Sequence, residues 1–379
     1  MEKTMFVSDD CEKRFTNRSE MSDFIGEREA NTVWLVEPVT SLRYEGLLDE
    51  PLMAPIYSEK MNVSDEAIID TMTGSNLLLK TSVGEKPVGI SAVLSITDRA
   101  GWKADGYKKM RNYNPLKLAE ALNLFIEASS GNVHVKLADE KVRAVHSSSY
   151  TFISGKVLLD TVLGYFDKNW PEFTFENGYF SHEFIRVELN LKAYHDTFMA
   201  KIPGSLSNNL LSTSEPAFIM TSSDIATSAV HLRPALALKS GIYIPLGNSI
   251  EVEHTGDDIE GRVVSELNML LAYFQERTED IQNLEKIRVV NARNALKRFL
   301  KKIKFPKKCG LEAVESFETM FGDEPATALD LYFAVVDAYS SAVRAFGDNE
   351  KKLLIAAESV VSASHVRWSD YDLPGEVDY

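Results

Sequence analysis

The sequence predicts an α+β protein in which a mixed, mainly antiparallel sheet core is followed by a helical C-terminal part. Three observations favour this fold class. Between residues 60 and 250, short segments alternate apolar and polar side chains, which is typical of strands with one buried face. From about residue 257 onward, apolar residues recur every three or four positions and indicate amphipathic helices. The 379 residues include 44% hydrophobic and 26% charged side chains, an ordinary globular composition.

Residues 1–60 are predicted to form a peripheral N-terminal arm that lies extended on the surface. Acidic residues crowd its first half, and Pro38, Pro51 and Pro55 interrupt its second half. The stretch Thr32–Val36 has the composition of a short strand that adds to a sheet.

Residues 61–256 are predicted to form the core domain. Ser64 is a good helix N-cap, and Asn114 followed by proline opens a second helix. Gly89–Ile96 is rich in β-branched residues and is predicted to be a strand. The segment 102–113 is predicted to be a loop.

Two patterns in the core domain indicate antiparallel strands. Val133–Leu137 and Val142–His146 alternate in side-chain direction around a polar turn, which predicts a hairpin with His134 near His146. Glu183–Lys192 alternates polar and apolar residues, so one face is expected to be exposed and the other buried.

Residues 257–368 are predicted to form a helical region. Its first pattern runs as a helix to Phe305, where Pro306 ends it, and a second covers Ala326–Val366 with an interruption near Gly347. An acidic tail, 369–379, closes the chain. This tail resembles the acidic-aromatic tails of single-strand binding proteins, which recruit partners or occupy the binding groove; a frayed chain end is the alternative.

One charge anomaly lies in the helical region. Lys286–Lys308 contains ten basic residues and no acid, and removing them from the net charge of −15 leaves about −25 for the rest of the chain. On a continuous helix these residues form a basic stripe backed by an apolar face. Three interpretations stay open: a nucleic-acid surface, pairing with the protein's own acids or with another subunit, and contact with a membrane surface.

The first interpretation identifies specific candidate residues. Side chains of the stripe that are expected to contact phosphates are Arg293, Lys297, Arg298, Lys301, Lys302 and Lys304. Single-strand binders commonly add stacking aromatics to such a groove, and Trp102 and Tyr107 lie near lysines in the predicted loop. Core packing of Trp102 is the alternative.

No catalytic or metal-binding motif stands out. Cys11 and Cys309 are far apart, the seven histidines show no metalloprotease spacing, and no phosphate-binding loop occurs, so neither metal nor cofactor is expected. The most site-like stretch is Glu253–Asp258, where His254 with Asp257 or Asp258 supports an enzyme as a third hypothesis. Helix capping by Thr255, Asp257 or Asp258 explains the same residues.

Location follows from the absence of targeting signals. The first twenty residues lack the apolar run of a signal peptide, and no stretch reaches the roughly 18 consecutive apolar residues of a membrane span. A cytoplasmic protein without membrane contact is expected, in the host cytoplasm if a phage encodes it.

Three segments resemble the phage and plasmid-like protein family, whose domain has no known function. They are Val142–Tyr150 with Leu158 and Leu159, Ser222–Pro234 leading to Glu253–Gly256, and the helix that ends in Trp368–Asp372. Where the family often has Cys-Asn-Gly, this chain has Lys239-Ser-Gly241. The resemblance covers about residues 115–372 and implies a mobile-element setting and a fold of sheet and helix, but no activity.

Two functions therefore compete. The first is a non-enzymatic nucleic-acid-binding protein of a phage or plasmid, oligomeric and active in single-stranded DNA binding or annealing during replication or recombination. The alternative is a phage interaction protein that binds a host protein or forms a structural homo-oligomer without nucleic acid.

Overall fold

The computed structural model describes residues 6–102, 104–200, 214–223, 229–254, 256, 258–346, 350–375, 377 and 378. Its strands are β1 Glu12–Phe15, β2 Val33–Pro38, β3 Arg43–Gly46, β4 Leu77–Thr81, β5 Gly84–Pro87, β6 Asn132–Ala138, β7 Lys141–Ser147, β8 Thr174–Ser181, β9 Ile185–Asn190, β10 Glu215–Ser222, β11 Val230–Ala237, β12 Tyr243–Pro245, β13 Ile250–Val252, β14 Arg288–Val289 and β15 Ala326–Thr327. Its helices are α1 Arg18–Ala30, α2 Ala54–Met61, α3 Asp65–Thr73, α4 Ile90–Arg99, α5 Ala104–Tyr113, α6 Pro115–Glu127, α7 Gly155–Asn169, α8 His195–Met199, α9 Ile259–Leu267, α10 Leu270–Asn283, α11 Ala292–Lys302, α12 Lys307–Phe321, α13 Ala328–Phe346 and α14 Glu350–His365.

The largest sheet has seven strands. Six follow the order β1-β8-β9-β10-β11-β12, and β13 also pairs with β11; every pairing is antiparallel. Its apolar face and helices α1, α7 and α9–α14 enclose the first hydrophobic core, in which Phe218, Phe274 and Phe299 are almost completely buried. Burying each such ring contributes about 1.5–3 kcal/mol.

A second hydrophobic core lies among two three-stranded sheets, β2-β6-β7 and β3-β4-β5, and helices α4–α6. The predicted hairpin is confirmed as β6–β7, with His134 directly opposite His146. Its turn residues Asp139 and Glu140 have φ values of 53° and 64°. Two successive left-handed residues suit a tight hairpin turn. The fold class is α+β.

The predicted helix starts are also confirmed. Ser64 Oγ accepts a hydrogen bond from Ala67 N at 3.2 Å. Asn114 Oδ1 accepts one from Leu116 N at 2.8 Å, with Pro115 at the first helical position. Such caps satisfy backbone donors that have no partner within the helix.

The described part of residues 1–60 does not form a peripheral arm. Strand β1 is an edge of the largest sheet, and β2 is an edge of the sheet that contains β6 and β7. Phe15, Met21 and Leu47 are at most 1% exposed. The acidic composition of this segment gives no indication that its apolar side chains belong to the hydrophobic cores.

Three other local predictions are wrong because tertiary packing overrides local pattern. Gly89–Ile96 is not a strand but largely helix α4, whose Val93 and Ile96 lie one turn apart in the second core. The expected loop 102–113 is mostly helix α5. Strand β9 has no exposed face: Arg186 and Glu188 are 6% and 8% exposed and form an ion pair at 2.5 Å. Pairing is what allows such charges to be buried.

Candidate nucleic-acid interface

The basic segment does not form the continuous helix that its periodicity predicts. Helix α10 ends at Asn283, a 3₁₀ turn follows, and Val289 pairs with Ala326 in the β14–β15 ladder before α11 begins. The stripe is therefore interrupted between Lys286 and Arg293. A strand pair that joins distant residues leaves no local signal in the sequence.

Helix α11 is strongly amphipathic. Its core-facing side buries Ala292, Ala295, Leu296, Phe299 and Leu300. Lys301 and Lys302 in its last turn are exposed, whereas Arg293, Lys297 and Arg298 are half-buried. The packing against the first core fixes the helix and turns its basic side outward.

The turn between α11 and α12 continues the positive surface. Lys304, Lys307 and Lys308 are exposed, and Lys304 has a φ of 56°. A left-handed conformation costs a non-glycine residue roughly 1–2 kcal/mol. Helix α12 starts with Lys307 and Lys308, has no acid in its first turn, and receives no side-chain cap from Pro306. Cations are unfavourable at the positive end of a helix dipole, so this corner is unusually well suited to an anion.

Two of the predicted phosphate ligands are engaged within the chain. The Arg293 guanidinium lies 3.0 Å from a Glu318 carboxylate oxygen and 3.6 Å from one of Asp323. Arg298 donates to backbone carbonyl oxygens of the acidic tail, including that of Pro374 at 3.1 Å. Internal contacts thus account for the two arginines.

The tail also contacts two of the lysines. Lys301 Nζ donates to the carbonyl oxygen of Asp378 at 2.7 Å, and Lys302 Nζ lies 5.3 Å from the centroid of the Tyr371 ring. The described part of the acidic tail is therefore docked on α11. The alternative of a frayed chain end is wrong for these residues.

The predicted stacking residues lie away from α11, in the second core. The Tyr107 ring is 2% exposed and its hydroxyl donates to the Ser75 carbonyl oxygen at 2.5 Å, so it presents no face to a base. This contradicts a stacking role for Tyr107. Trp102 is half-buried and packs edge-on against Phe125, with 5.4 Å between ring centroids. Its packing agrees with the alternative interpretation.

The Glu253–Asp258 stretch combines capping with an aromatic stack. Asp258 Oδ1 accepts from Gly261 N at 2.9 Å and caps α9, which confirms the capping interpretation; Thr255 and Asp257 lie outside the described residues. His254 is 7% exposed and stacks on Tyr150, with 5.5 Å between centroids and 12° between planes. Tyr150 in turn stacks on His146 at 4.1 Å.

The structure contains a buried ionic network that the sequence does not predict. It joins three bases and three acids: Arg28, Lys141, Arg143, Asp9, Asp70 and Asp139. Asp139 accepts from Arg28 Nε and from Arg143 Nε, both at 3.1 Å. Burial lowers the pKa of Lys141. The carboxylates of Asp9 and Asp70 act in the opposite direction, but the net shift is downward. Because the charges balance, we assign this network a structural role. The sequence feature that could have indicated the network is the alternation of Lys141 and Arg143 with apolar residues in β7.

In the part of the chain that the structure describes, no three His, Cys, Asp or Glu side chains are arranged to hold a metal ion. Likewise, none of the described helices has the length and apolar character that crossing a bilayer requires.

Comparison of the chain with protein-family profiles, curated proteins and solved structures finds no match.

Proposed function

We propose that this chain is a non-enzymatic nucleic-acid-binding protein whose phosphate contacts are made at the corner between α11 and α12. The observation that carries this proposal is the group of exposed lysines within eight residues that include no acid: Lys301, Lys302, Lys304, Lys307 and Lys308. Ammonium groups on flexible stems contact phosphates without reading sequence.

The net charge of the protein supports confinement of binding to this corner. With −15 overall, most of the surface repels a polyanion, and the positive corner is an exception. Single-stranded DNA is the expected substrate, in the cytoplasm and in the setting of phage or plasmid replication or recombination that the sequence resemblance implies. Annealing would in addition require a homo-oligomer. Stacking by Tyr107 is not part of this proposal.

Fluorescence anisotropy with labelled single- and double-stranded DNA and RNA tests the proposal across a salt titration. The variant Lys304→Gln/Lys307→Gln/Lys308→Gln removes three charges at the corner. Its matched control, Lys80→Gln/Lys168→Gln/Lys239→Gln, removes three exposed lysines elsewhere. For single strands each lost phosphate contact lowers the log–log salt slope by about 0.7, so the corner variant should lose about 2.

The control triple should retain the salt slope of the unmodified protein. An equal loss in both variants would mean diffuse attraction and would contradict a site at the corner. No binding of any nucleic acid at low salt would reject the proposal outright.

One observation favours the alternative of a protein-binding function. Leu52, in the 3₁₀ turn before α2, and Ile56, the third residue of α2, are 95% and 59% exposed. Large apolar side chains exposed together are typical of interaction surfaces. If this surface joins subunits, Leu52→Asp should lower the oligomer mass measured by light scattering. The corner variant, Lys304→Gln/Lys307→Gln/Lys308→Gln, should leave that mass unchanged.

A further inference from the structure

The acidic tail contacts α11 in two ways. Its first part, Trp368–Asp372, is an anchor that is held by apolar packing and by helix capping. Trp368 and Tyr371 are 1% and 8% exposed, and their rings lie 5.0 and 5.8 Å from that of Phe299. Asp372 accepts from Val290 N at 2.9 Å and from Asn291 N at 2.6 Å. Asn291 itself gives α11 no side-chain cap, so the tail carboxylate occupies the positive end of this helix.

Beyond the anchor, the contacts are hydrogen bonds from basic side chains to main-chain oxygens. Arg298 reaches the carbonyls of Leu373 and Pro374, and Lys301 reaches that of Asp378. The Leu373 side chain is 51% exposed. The distal part of the tail, which is described at residues 373–375, 377 and 378, is therefore held mainly by the donors that a phosphate would use.

We propose that the distal part of the acidic tail is a built-in competitor of nucleic acid and leaves Arg298 and Lys301 when a strand binds. This inference rests on the proposed function and adds its regulation. The exposed lysines Lys304, Lys307 and Lys308 capture the strand first, because no tail contact covers them in the described part of the chain. Arg298 and Lys301 then exchange tail carbonyls for phosphates.

The exchange has a physical basis in the two acceptors. A phosphate oxygen carries a negative charge and adds Coulomb attraction to the hydrogen bond that a cation donates, whereas a carbonyl oxygen carries only a dipole. The tail compensates through its covalent attachment, which gives it a high effective concentration at α11. A long strand that engages several lysines displaces it, whereas a short oligonucleotide does not.

A chain ended at Asp372 tests the proposal, because it keeps Trp368, Tyr371 and the Asp372 cap. The probes are labelled oligothymidylates of five and twenty nucleotides. If the tail is docked about 90% of the time, its removal should tighten binding about tenfold. For the five-nucleotide probe, which does not displace the tail, release of Arg298 and Lys301 should also steepen the salt slope by about 1.4. The gain should be larger for the short probe.

A matched full-length variant separates competition from simple repulsion. Glu376→Gln/Asp378→Asn removes two negative charges and retains the main-chain oxygens that Arg298 and Lys301 bind. A competitor predicts that this variant binds like the unmodified protein. Equal tightening in this variant and in the shortened chain would overturn competition and leave only electrostatic repulsion.

The outcomes distinguish this inference from the proposed function. If the full-length protein binds DNA through the corner lysines and the shortened chain gains neither affinity nor slope, the competitor is rejected and the function stands. If neither chain binds, the function fails. The amide resonances of Leu373, Gly375 and Asp378, followed by NMR, provide a second measurement: they should shift toward the values of an unstructured chain at saturating twenty-nucleotide probe, and unchanged resonances with DNA bound would reject displacement.

Discussion

Tyr107 shows how a side chain that the sequence predicts to stack on a base can instead be part of the protein interior. Its hydroxyl donates to the buried Ser75 carbonyl oxygen, and burial raises its pKa well above the usual tyrosine range. Tyr107→Phe leaves that oxygen without its donor, so we expect a loss of about 1–2 kcal/mol in the free energy of unfolding. Urea denaturation measures the loss. DNA affinity should not change; weaker binding at unchanged stability would return Tyr107 to the binding site.

Asp372 gives a prediction about pH at the same scale. Its burial raises the pKa, but hydrogen bonds from Val290 N, Asn291 N and the Asn291 side chain outweigh this effect, and the net shift is downward. A carboxylate with a lowered folded-state pKa stabilises the docked tail above its free value of about 3.9, and this contribution disappears as pH falls through the lowered pKa.

Tail docking should therefore be constant from pH 5 to 8 and weaken only in stronger acid. The amide proton shifts of Val290 and Asn291, followed by NMR, should titrate with a midpoint below about 3.9. A midpoint above that value would show that the carboxylate is not held as the charged form. Asp372→Asn should abolish this titration and give a control.

At the scale of elements, the two lysines at the start of α12 are expected to favour DNA binding but to destabilise the helix. Lys307 and Lys308 oppose the helix dipole, so Lys307→Glu/Lys308→Glu should raise the free energy of unfolding by about 0.3–1 kcal/mol per residue. The same variant should weaken DNA binding, because two corner cations become anions. Thermal unfolding and anisotropy together check both directions. A loss of stability along with binding would instead indicate that the lysines hold the fold.

How far the sequence predicts elements depends on whether their cause is local. The caps at Ser64 and Asn114 and the β6–β7 hairpin depend on neighbouring residues, and the sequence predicts them correctly. Helix α5 and the interruption before α11 depend on packing and on the Val289–Ala326 pair, which lie beyond any local window. The site is divided in the same way: the cluster of lysines is visible in the sequence, but the tail contact of Arg298 joins residues 75 positions apart.

At the scale of the whole molecule, the buried ionic network links the two hydrophobic cores. Arg28 lies on α1, which packs into the first core, whereas Asp139 and Arg143 belong to the hairpin of the second. Asp9 adds the N-terminal segment, and its carboxylate lies beside Arg143 and Lys141. This linkage explains why residues near the N-terminus are integral to the fold although their composition predicts a surface arm.

Asp139→Asn tests whether this linkage makes the cores unfold together. The amide keeps the shape but leaves Arg28 and Arg143 buried beside a neutral group, and breaking a buried ion pair costs about 3–5 kcal/mol. Calorimetry of the unmodified protein should show one transition, and the variant should show two, because each core retains its own apolar contacts. Glu172→Gln, at an exposed carboxylate, should leave one transition at an unchanged midpoint. If Asp139→Asn lowers the midpoint but keeps a single transition, the cores are coupled by apolar contact and not through the network.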